Sequence, residues 1–381
     1  MLANDNQLAK YSLDEIIKLF IEKSQEAKKQ LGTFNIIIIG RAGVGKSTLV
    51  NQIFQLDLAK EGVGQSVTKQ LKQYNLEDCP ITIYDTPGLE LDEQQAKQVK
   101  NDVAELIKNL KDQSLDKHIH IVWYCVSDLG KRFEASEEDW IRTMSNEEEI
   151  SVIMVLTQTY EPQQSEMLPY LQGLKLPVNV IVPILAKECK ITRDYTIQAY
   201  GLNNLVEQTA TLIPEQAERA FIHQQVASIN LQAIQSDKYL IGYVAGSAII
   251  GATEAALANI GALLGLQLTM LAQITVIFGI DFDKEFYTIL ITSIAGSKAT
   301  EEIGKIFIQE LLKWMGVSAI AAPITATIAA TMTLSLGRAY IEGIKWYKLA
   351  LAKEENVSPE QLATKVKEIY KNLTSRSKDN N

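Results

Sequence analysis

Gly40-Arg41-Ala42-Gly43-Val44-Gly45-Lys46-Ser47-Thr48 directly follows the apolar run from Phe34 to Ile39 and precedes the helical pattern Leu49-Val50-Asn51-Gln52-Ile53-Phe54. A buried strand, a glycine-rich turn and a helix, in that order, are the setting in which G-x-x-x-x-G-K-[ST] means a phosphate loop. Glycines let the backbone wrap an anion, so that successive N–H groups point inward. The following helix brings its positive N-terminal end to the same point. The stretch from Gly40 to Thr48 is therefore expected to hold a nucleoside triphosphate. In that geometry Lys46 reaches the β- and γ-phosphates and the Ser47 hydroxyl ligates Mg²⁺.

Outward from this loop, apolar runs alternate with helical patterns as far as about Pro214. Strands are expected at Phe34–Ile39, Gln70–Leu76, Ile81–Tyr84, His118–Val126, Ser151–Leu156 and Val178–Ile184. Helices are expected near Thr48–Gln55, Glu93–Lys111, Ser136–Met144, Gln163–Leu171 and Asn203–Ile213. Such alternation predicts an α/β fold, a mostly parallel sheet with helices on both faces. The short connection Glu77-Asp78-Cys79-Pro80 suits an antiparallel hairpin at the sheet edge. Asp85-Thr86-Pro87-Gly88 leaves the third strand. Alone it is an ordinary turn. Opposite a phosphate loop, Asp85 is placed to hold Mg²⁺ through water, and the side-chain-free Gly88 can bring its N–H close to a γ-phosphate.

Gly40–Thr48 followed by Asp85–Gly88 resembles the translation-factor-related class of P-loop GTPases, the Era-like and 50S ribosome-binding group. The resemblance covers roughly residues 34–214. It implies GTP or GDP with Mg²⁺ as cofactors, and a threonine between the two motifs that coordinates the metal and orders a switch loop. Thr68 matches that place, with Ser66 as the alternative. Gly201-Leu202-Asn203-Asn204-Leu205 resembles the last helix of such domains.

Two departures from this pattern carry consequences. After the Ser151–Leu156 strand the family has Asn/Thr-Lys-x-Asp, whose aspartate accepts two hydrogen bonds from guanine. Here the residues are Thr157-Gln158-Thr159-Tyr160, with Glu161 one place late. The absent acceptor removes a charged contact worth about 1.5–3 kcal/mol, so guanine selectivity is weakened or rebuilt elsewhere. Ala186-Lys187 matches the family's short base-contacting loop. The second departure is Leu89, which stands where signalling GTPases place a water-orienting glutamine. Turnover is expected to be slow unless Arg41 or Arg132 supplies the missing charge, in cis or across a dimer. A solvated surface role is the alternative for both arginines.

The whole chain has 381 residues and a formal net charge of −9. That length suggests two domains, and the acidic balance argues against a nucleic-acid partner. Cys79, Cys125 and Cys189 show neither metal spacing nor a disulfide framework, which fits a reducing compartment. The polar, acidic start, Met1-Leu2-Ala3-Asn4-Asp5-Asn6, is not a secretory signal. Residues 1–32 read as an amphipathic helix, with Ser12 and Glu15 forming a capping box and Leu13, Ile16, Ile17, Phe20 and Ile21 on one face. Its expected role is packing, since its polar face mixes both charge signs.

Composition changes beyond Pro214. Residues 215–238 read as one polar helix, and Tyr239 to Ile280 carries a single charged residue, Glu254. Gly242 with Gly246, and Gly261 with Gly265, are spaced for close helix approach. A second uncharged run, Val317 to Leu336, is flanked by Lys313-Trp314 and Arg338-Ala339-Tyr340, in the manner of an interfacial belt. Three readings stay open: insertion in a bilayer, a soluble helical domain, and a soluble domain that exposes a hairpin on nucleotide exchange. A GTPase domain followed by an Ala/Gly-rich helical region also resembles bacterial GTPases with a DUF697-type domain. More distantly it is similar to the dynamin-related immunity GTPases. That resemblance implies membrane lipid as a partner, nucleotide-dependent homo-oligomers, and a cytoplasmic protein on or in the cytoplasmic face of a membrane. The expected divisions are 1–32, 33–214 (GTPase), 215–352 (hydrophobic helices) and 353–381 (a last helix and tail).

Overall fold

The computed structural model describes residues 12–55, 72–75, 80–86, 93–252, 258–295, 303–315 and 324–379. The chain divides into two compact units, residues 31–228 and residues 1–30 with 229–381.

The first unit is built on a six-stranded sheet in the order β2-β3-β1-β4-β5-β6. The strands are β1 (Phe34–Gly40), β2 (Lys72–Asn75), β3 (Ile81–Asp85), β4 (Ile121–Ser127), β5 (Ser151–Thr157) and β6 (Val180–Pro183). All neighbours run parallel except β2, which pairs antiparallel with β3 at the edge. Every residue of β1 is buried, as expected where helices cover both faces of a parallel sheet. Ile37 and Ile39 of β1, with Val122 and Tyr124 of β4, face one side. There they pack on Val99, Val103 and Ile107 of α3 (Glu93–Lys111), Trp140 and Ile141 of α4 (Ala135–Arg142) and Leu171 of α5 (Met167–Gly173). On the other side stand α2 (Lys46–Phe54), α6 (Leu202–Leu212) and α7 (Glu215–Gln224). Phe34 meets Phe221 of α7 with ring centroids 4.8 Å apart. Trp123 stacks on Phe54 of α2 and donates its indole N–H to Thr209 Oγ1 of α6 at 3.0 Å.

Several boundaries differ from the sequence expectation. β4 starts at Ile121 because the Asn35 side chain donates to the Asp116 and His118 carbonyls, holding the chain before it in a turn. Residues 215–238 are not one helix. Gln225 accepts from the Ser228 N–H at 2.7 Å and donates back to the Ser228 carbonyl at 3.0 Å, which closes a turn after α7. The Val226 N–H is bonded to the Ile53 carbonyl, fixing that turn on the first unit. The division therefore falls at 228/229. A small hairpin of β7 (Cys189–Lys190) and β8 (Thr196–Ile197) has no counterpart in the sequence reading.

The second unit joins α1 (Leu13–Lys29) to α8 (Ile229–Gly251), α9 (Ala258–Ile277), α10 (Lys284–Ala295), α11 (Ile303–Trp314), α12 (Ala326–Leu351) and α13 (Pro359–Asp379). The Ser12–Glu15 capping box is formed. Ile16, Ile17 and Phe20 are buried, Phe20 with its ring 4.4 Å from that of Tyr287. Ile260–Ile277 in α9 is the one helical window among the described residues that is long and apolar enough to cross a membrane, and 67% of it is buried within the protein. Residues 317–323 of the second apolar run lie outside the described residues. The rest of it opens α12, which continues through Arg338, Glu342 and Lys345. Trp314 and Tyr340, expected in a membrane belt, are buried: Tyr340 shares a 2.8 Å hydrogen bond with Thr275, and Trp314 packs on Tyr370. Close helix approach occurs at Gly337, where a Cβ would stand 2.3 Å from Leu240 Cδ1, and at Gly343, 2.7 Å from Val366 Cγ2. At Gly242 it would meet nothing within 4 Å.

Candidate nucleotide-binding site

β1 delivers the chain into the loop at Gly40, whose φ of +150° puts the place of a Cβ 2.4 Å from the Cys125 carbonyl oxygen. Only glycine fits there. Gly43 and Gly45 also have positive φ, 77° and 95°, but open space lies where their side chains would stand. The loop thus presents bare backbone on its open side, the shape an anion cradle requires. Gly45 caps α2 in the left-handed conformation, so α2 begins at Lys46 and Ser47 falls in its first turn. Lys46 Nζ donates to the carbonyls of Gly40, at 2.7 Å, and Arg41, at 3.0 Å. Ser47 and Thr48 are exposed.

The register of the parallel strands sets the rest. Asp85 stands opposite Ile38, two residues before the loop. Thr86 is buried and pins the end of β3 by two bonds to the Ile38 carbonyl, 3.2 Å from its N–H and 3.1 Å from its hydroxyl. Cys125, paired with Gly40, is fully buried. Burial pushes its thiol up to about 12, with Lys46 lowering it and Asp85 raising it, so both charges act on this point. Such a thiol is inert. Thr68, Pro87 and Gly88 lie outside the described residues.

The loop after β5 is bound to the phosphate loop. The Thr157 hydroxyl donates to the Val44 carbonyl at 2.6 Å, and Gln158 Nε2 donates to the Gly43 carbonyl at 3.1 Å. Ser127 Oγ donates to Gln158 Oε1, a partner the sequence reading missed. Thr159 N–H donates to the Ile184 carbonyl, and Tyr200 OH donates to the Thr159 carbonyl at 2.9 Å. Tyr160, in the family's carboxylate place, meets Cys189 of the hairpin, with Sγ and OH 3.6 Å apart. Ala186 and the exposed Lys187 follow β6 at the same end of the sheet.

Arg41 and Arg132 converge on one carboxylate. Arg41 Nη1 is 3.3 Å from Glu134 Oε1, and Arg132 Nη2 is 2.5 Å from the same oxygen. Glu137 lies 3.8 Å behind Arg41, buried, and burial holds its carboxyl above the usual range. No sequence spacing joins Arg41 to these acids. The signal that could have found them is Glu134-x-x-Glu137 opening a helix two residues past Arg132.

A family profile described as "50S ribosome-binding GTPase" matches residues 35–183. Residues 35–183 are a GTPase domain of that family. Domains of this class bind and hydrolyse GTP. Among curated proteins, the chain is 28% identical to a probable GTP-binding protein EngB of Methanococcus aeolicus, over 42% of this chain and 62% of that protein. It is 23% identical to neuronal-specific septin-3 of Danio rerio, over 40% of this chain and 48% of that one. The chain thus spans about half the length of the curated relatives it matches. Among solved structures, Era of Aquifex aeolicus bound to GDP and aluminium fluoride is 15% identical, over 60% of this chain and 70% of that one, with a TM-score of 0.35. Era in complex with MgGDPNP and a 16S ribosomal RNA fragment is 16% identical, over 59% and 70%, also at 0.35.

Proposed function

We propose that this chain is a Mg²⁺-dependent GTPase whose nucleotide state controls self-assembly and attachment to a membrane through its helical unit. The observation that carries the reading is the open backbone at Gly43 and Gly45 next to Lys46 and the first turn of α2. The loop amides and Lys46 hold the phosphates, while Ser47, Thr68 and Asp85 hold the metal. When bound, Mg²⁺ neutralises charge on the β- and γ-oxygens. Gly88 senses the γ-phosphate. Leu89 cannot polarise water, so turnover is slow until Arg41 or Arg132 leaves Glu134 and reaches the phosphates. Thr157 and Gln158 fix the base loop to the phosphate loop, with Ala186 and Lys187 closing the base side.

Ile241 and Ile249 on α8 expose 72% and 70% of their surface, on one helix face with Gly242 and Ala245. That supports peripheral attachment to a membrane. The burial of α9 supports a folded helical unit over a permanent span, and the likeness to DUF697-type domains belongs to the same reading. Liposome flotation with GDP and with a GTP analogue, using Lys46→Ala as control, tests it. Wild-type protein should float only with the analogue. Protein that never floats leaves a soluble GTPase switch acting on a ribosome or a protein partner. No calorimetric heat with GTP or ATP plus Mg²⁺ removes the nucleotide reading altogether. Tyr160 favours a second reading of the base pocket, relaxed selectivity, which displacement of bound labelled GTP by ATP reads directly.

A further inference from the structure

The β7–β8 hairpin takes no part in the chemistry above, yet it borders a cavity of about 370 Å³. The cavity wall includes Asp128 and Leu129 after β4, Tyr160 and Glu161 after β5, and Ile191 and Tyr195 of the hairpin. Leu129, Ile191 and Tyr195 expose 54%, 47% and 52% of their surface. Only two other large apolar side chains among the described residues of this unit, Leu115 and Tyr170, are comparably exposed. Most of the unit's exposed apolar bulk is therefore gathered at one hollow, which marks a contact surface.

Charge is unevenly spread over the same surface. Lys190 and Arg193 on the hairpin form no ion pair among the described residues, and neither do Asp128 and Glu161 on the wall. Asp128 accepts from Ser165 Oγ at 2.7 Å, and Glu161 from Gln164. The neighbouring Lys131 and Glu166 already neutralise each other at 2.9 Å. One patch thus carries an apolar centre between a hairpin, 189–197, whose Lys190 and Arg193 outnumber its single acid, Asp194, and a wall where Asp128 and Glu161 remain after Lys131 pairs with Glu166.

We infer that this patch is where two copies of the chain meet about a two-fold axis. Each Arg193 reaches the Asp128 and Glu161 carboxylates of the other copy, and Leu129, Ile191 and Tyr195 bury against their counterparts. A two-fold contact uses the same surface twice, so it must carry both halves of every complementary pair, and this one does. Opposite rim charges fix its register. Its extent belongs with small, transient interfaces, below about 1,200 Å² in total. The contacts of Cys189 with Tyr160 and of Tyr200 with Thr159 join the surface to the base loop, which links dimerisation to the bound nucleotide. The inference rests on the self-assembly reading and names its interface.

Sedimentation velocity on the full chain tests it, over a wide concentration range, with GDP and with a non-hydrolysable GTP analogue plus Mg²⁺. Wild type should dimerise, more tightly with one nucleotide than with the other. Arg193→Glu and Glu161→Lys should each weaken the dimer at least about tenfold, and an equimolar mixture of the two should recover it. Circular dichroism checks folding. Should either variant fail to fold, Tyr195→Ser and Ile191→Ser report on the same surface. Wild-type dimers left intact by all the folded variants would place assembly elsewhere and overturn this surface alone. Wild type that stays monomeric throughout overturns the assembly reading with it.

Discussion

Arg41 belongs to the proposed phosphate loop, but its guanidinium is held by Glu134 and backed by Glu137. Arg132 competes for the same Glu134 oxygen. If that carboxylate restrains the charge that hydrolysis lacks, Glu134→Gln should raise single-turnover GTP hydrolysis several-fold, and adding Arg41→Ala should cancel the gain. An unchanged rate in Glu134→Gln would mean that neither arginine is restrained. At the base, Tyr160→Asp should restore a bidentate acceptor worth about 1.5–3 kcal/mol. The preference for GTP over ATP, measured by competition, should rise about tenfold or more. The placement of Lys46, Asp85, Thr157 and Gln158 at one end of the sheet was legible in the sequence because each belongs to a short motif at a strand end, where parallel register gathers them. Glu134, Glu137 and Ser127 were not. Their contacts join separate loops across the sheet, and no local spacing encodes them.

Helices and strands show what pattern reading captures and what it does not. Five of the sheet strands were legible as apolar runs, and the polar edge strand β2, Lys72-Gln73-Tyr74-Asn75, from its short connection to β3. The hairpin at 189–197 was hidden because its strands are two residues long and polar between. In the helical unit, spacing singled out Gly242 and Gly246; a Cβ at Gly246 would stand 3.2 Å from Leu266 Cδ1 and one at Gly242 would meet nothing, while the closer approach at Gly337 carries no such spacing signal. Spacing shows that a close approach is permitted, and only packing shows whether it occurs. Gly337→Ala should therefore lower stability by about 1–3 kcal/mol through overpacking against Leu240. Gly242→Ala, with open space around it, should raise stability by up to about 1 kcal/mol from helix propensity. Urea unfolding distinguishes them. Lys348 gives the unit a pH dependence. Its ammonium donates to the Gln232 side chain at 2.9 Å and to the Phe278 carbonyl at 2.8 Å, and burial lowers its pKa to about 8. Between that value and the ordinary lysine value near 10.4 the unfolded chain binds more protons, so stability rises with pH across this window. Lys348→Met should flatten the rise in urea midpoints.

At the scale of the molecule, the change of composition after Pro214 announced a second unit but misplaced its edge. The turn at Gln225–Ser228 depends on bonds to Ile53 and within itself, which composition does not register. Nor did the sequence reveal that the helical unit draws its first helix from before the GTPase unit. Phe20 lies at that junction, buried on Tyr287. Phe20→Ala should remove about 3–5 kcal/mol from the helical unit. GTP binding by the unit spanning 31–228 should persist, as calorimetry alongside a thermal melt can show.

Because α1 and α8–α13 close one core while residues 31–228 intervene, synthesis itself imposes a wait. At about 5–20 residues per second, the ribosome spends roughly 10–40 s on the intervening stretch before the first of α1's partners emerges. Throughout that interval Ile16, Ile17 and Phe20 have nothing to fold onto. The core that α1 helps to build is therefore completed only after the whole of 31–228 has been made.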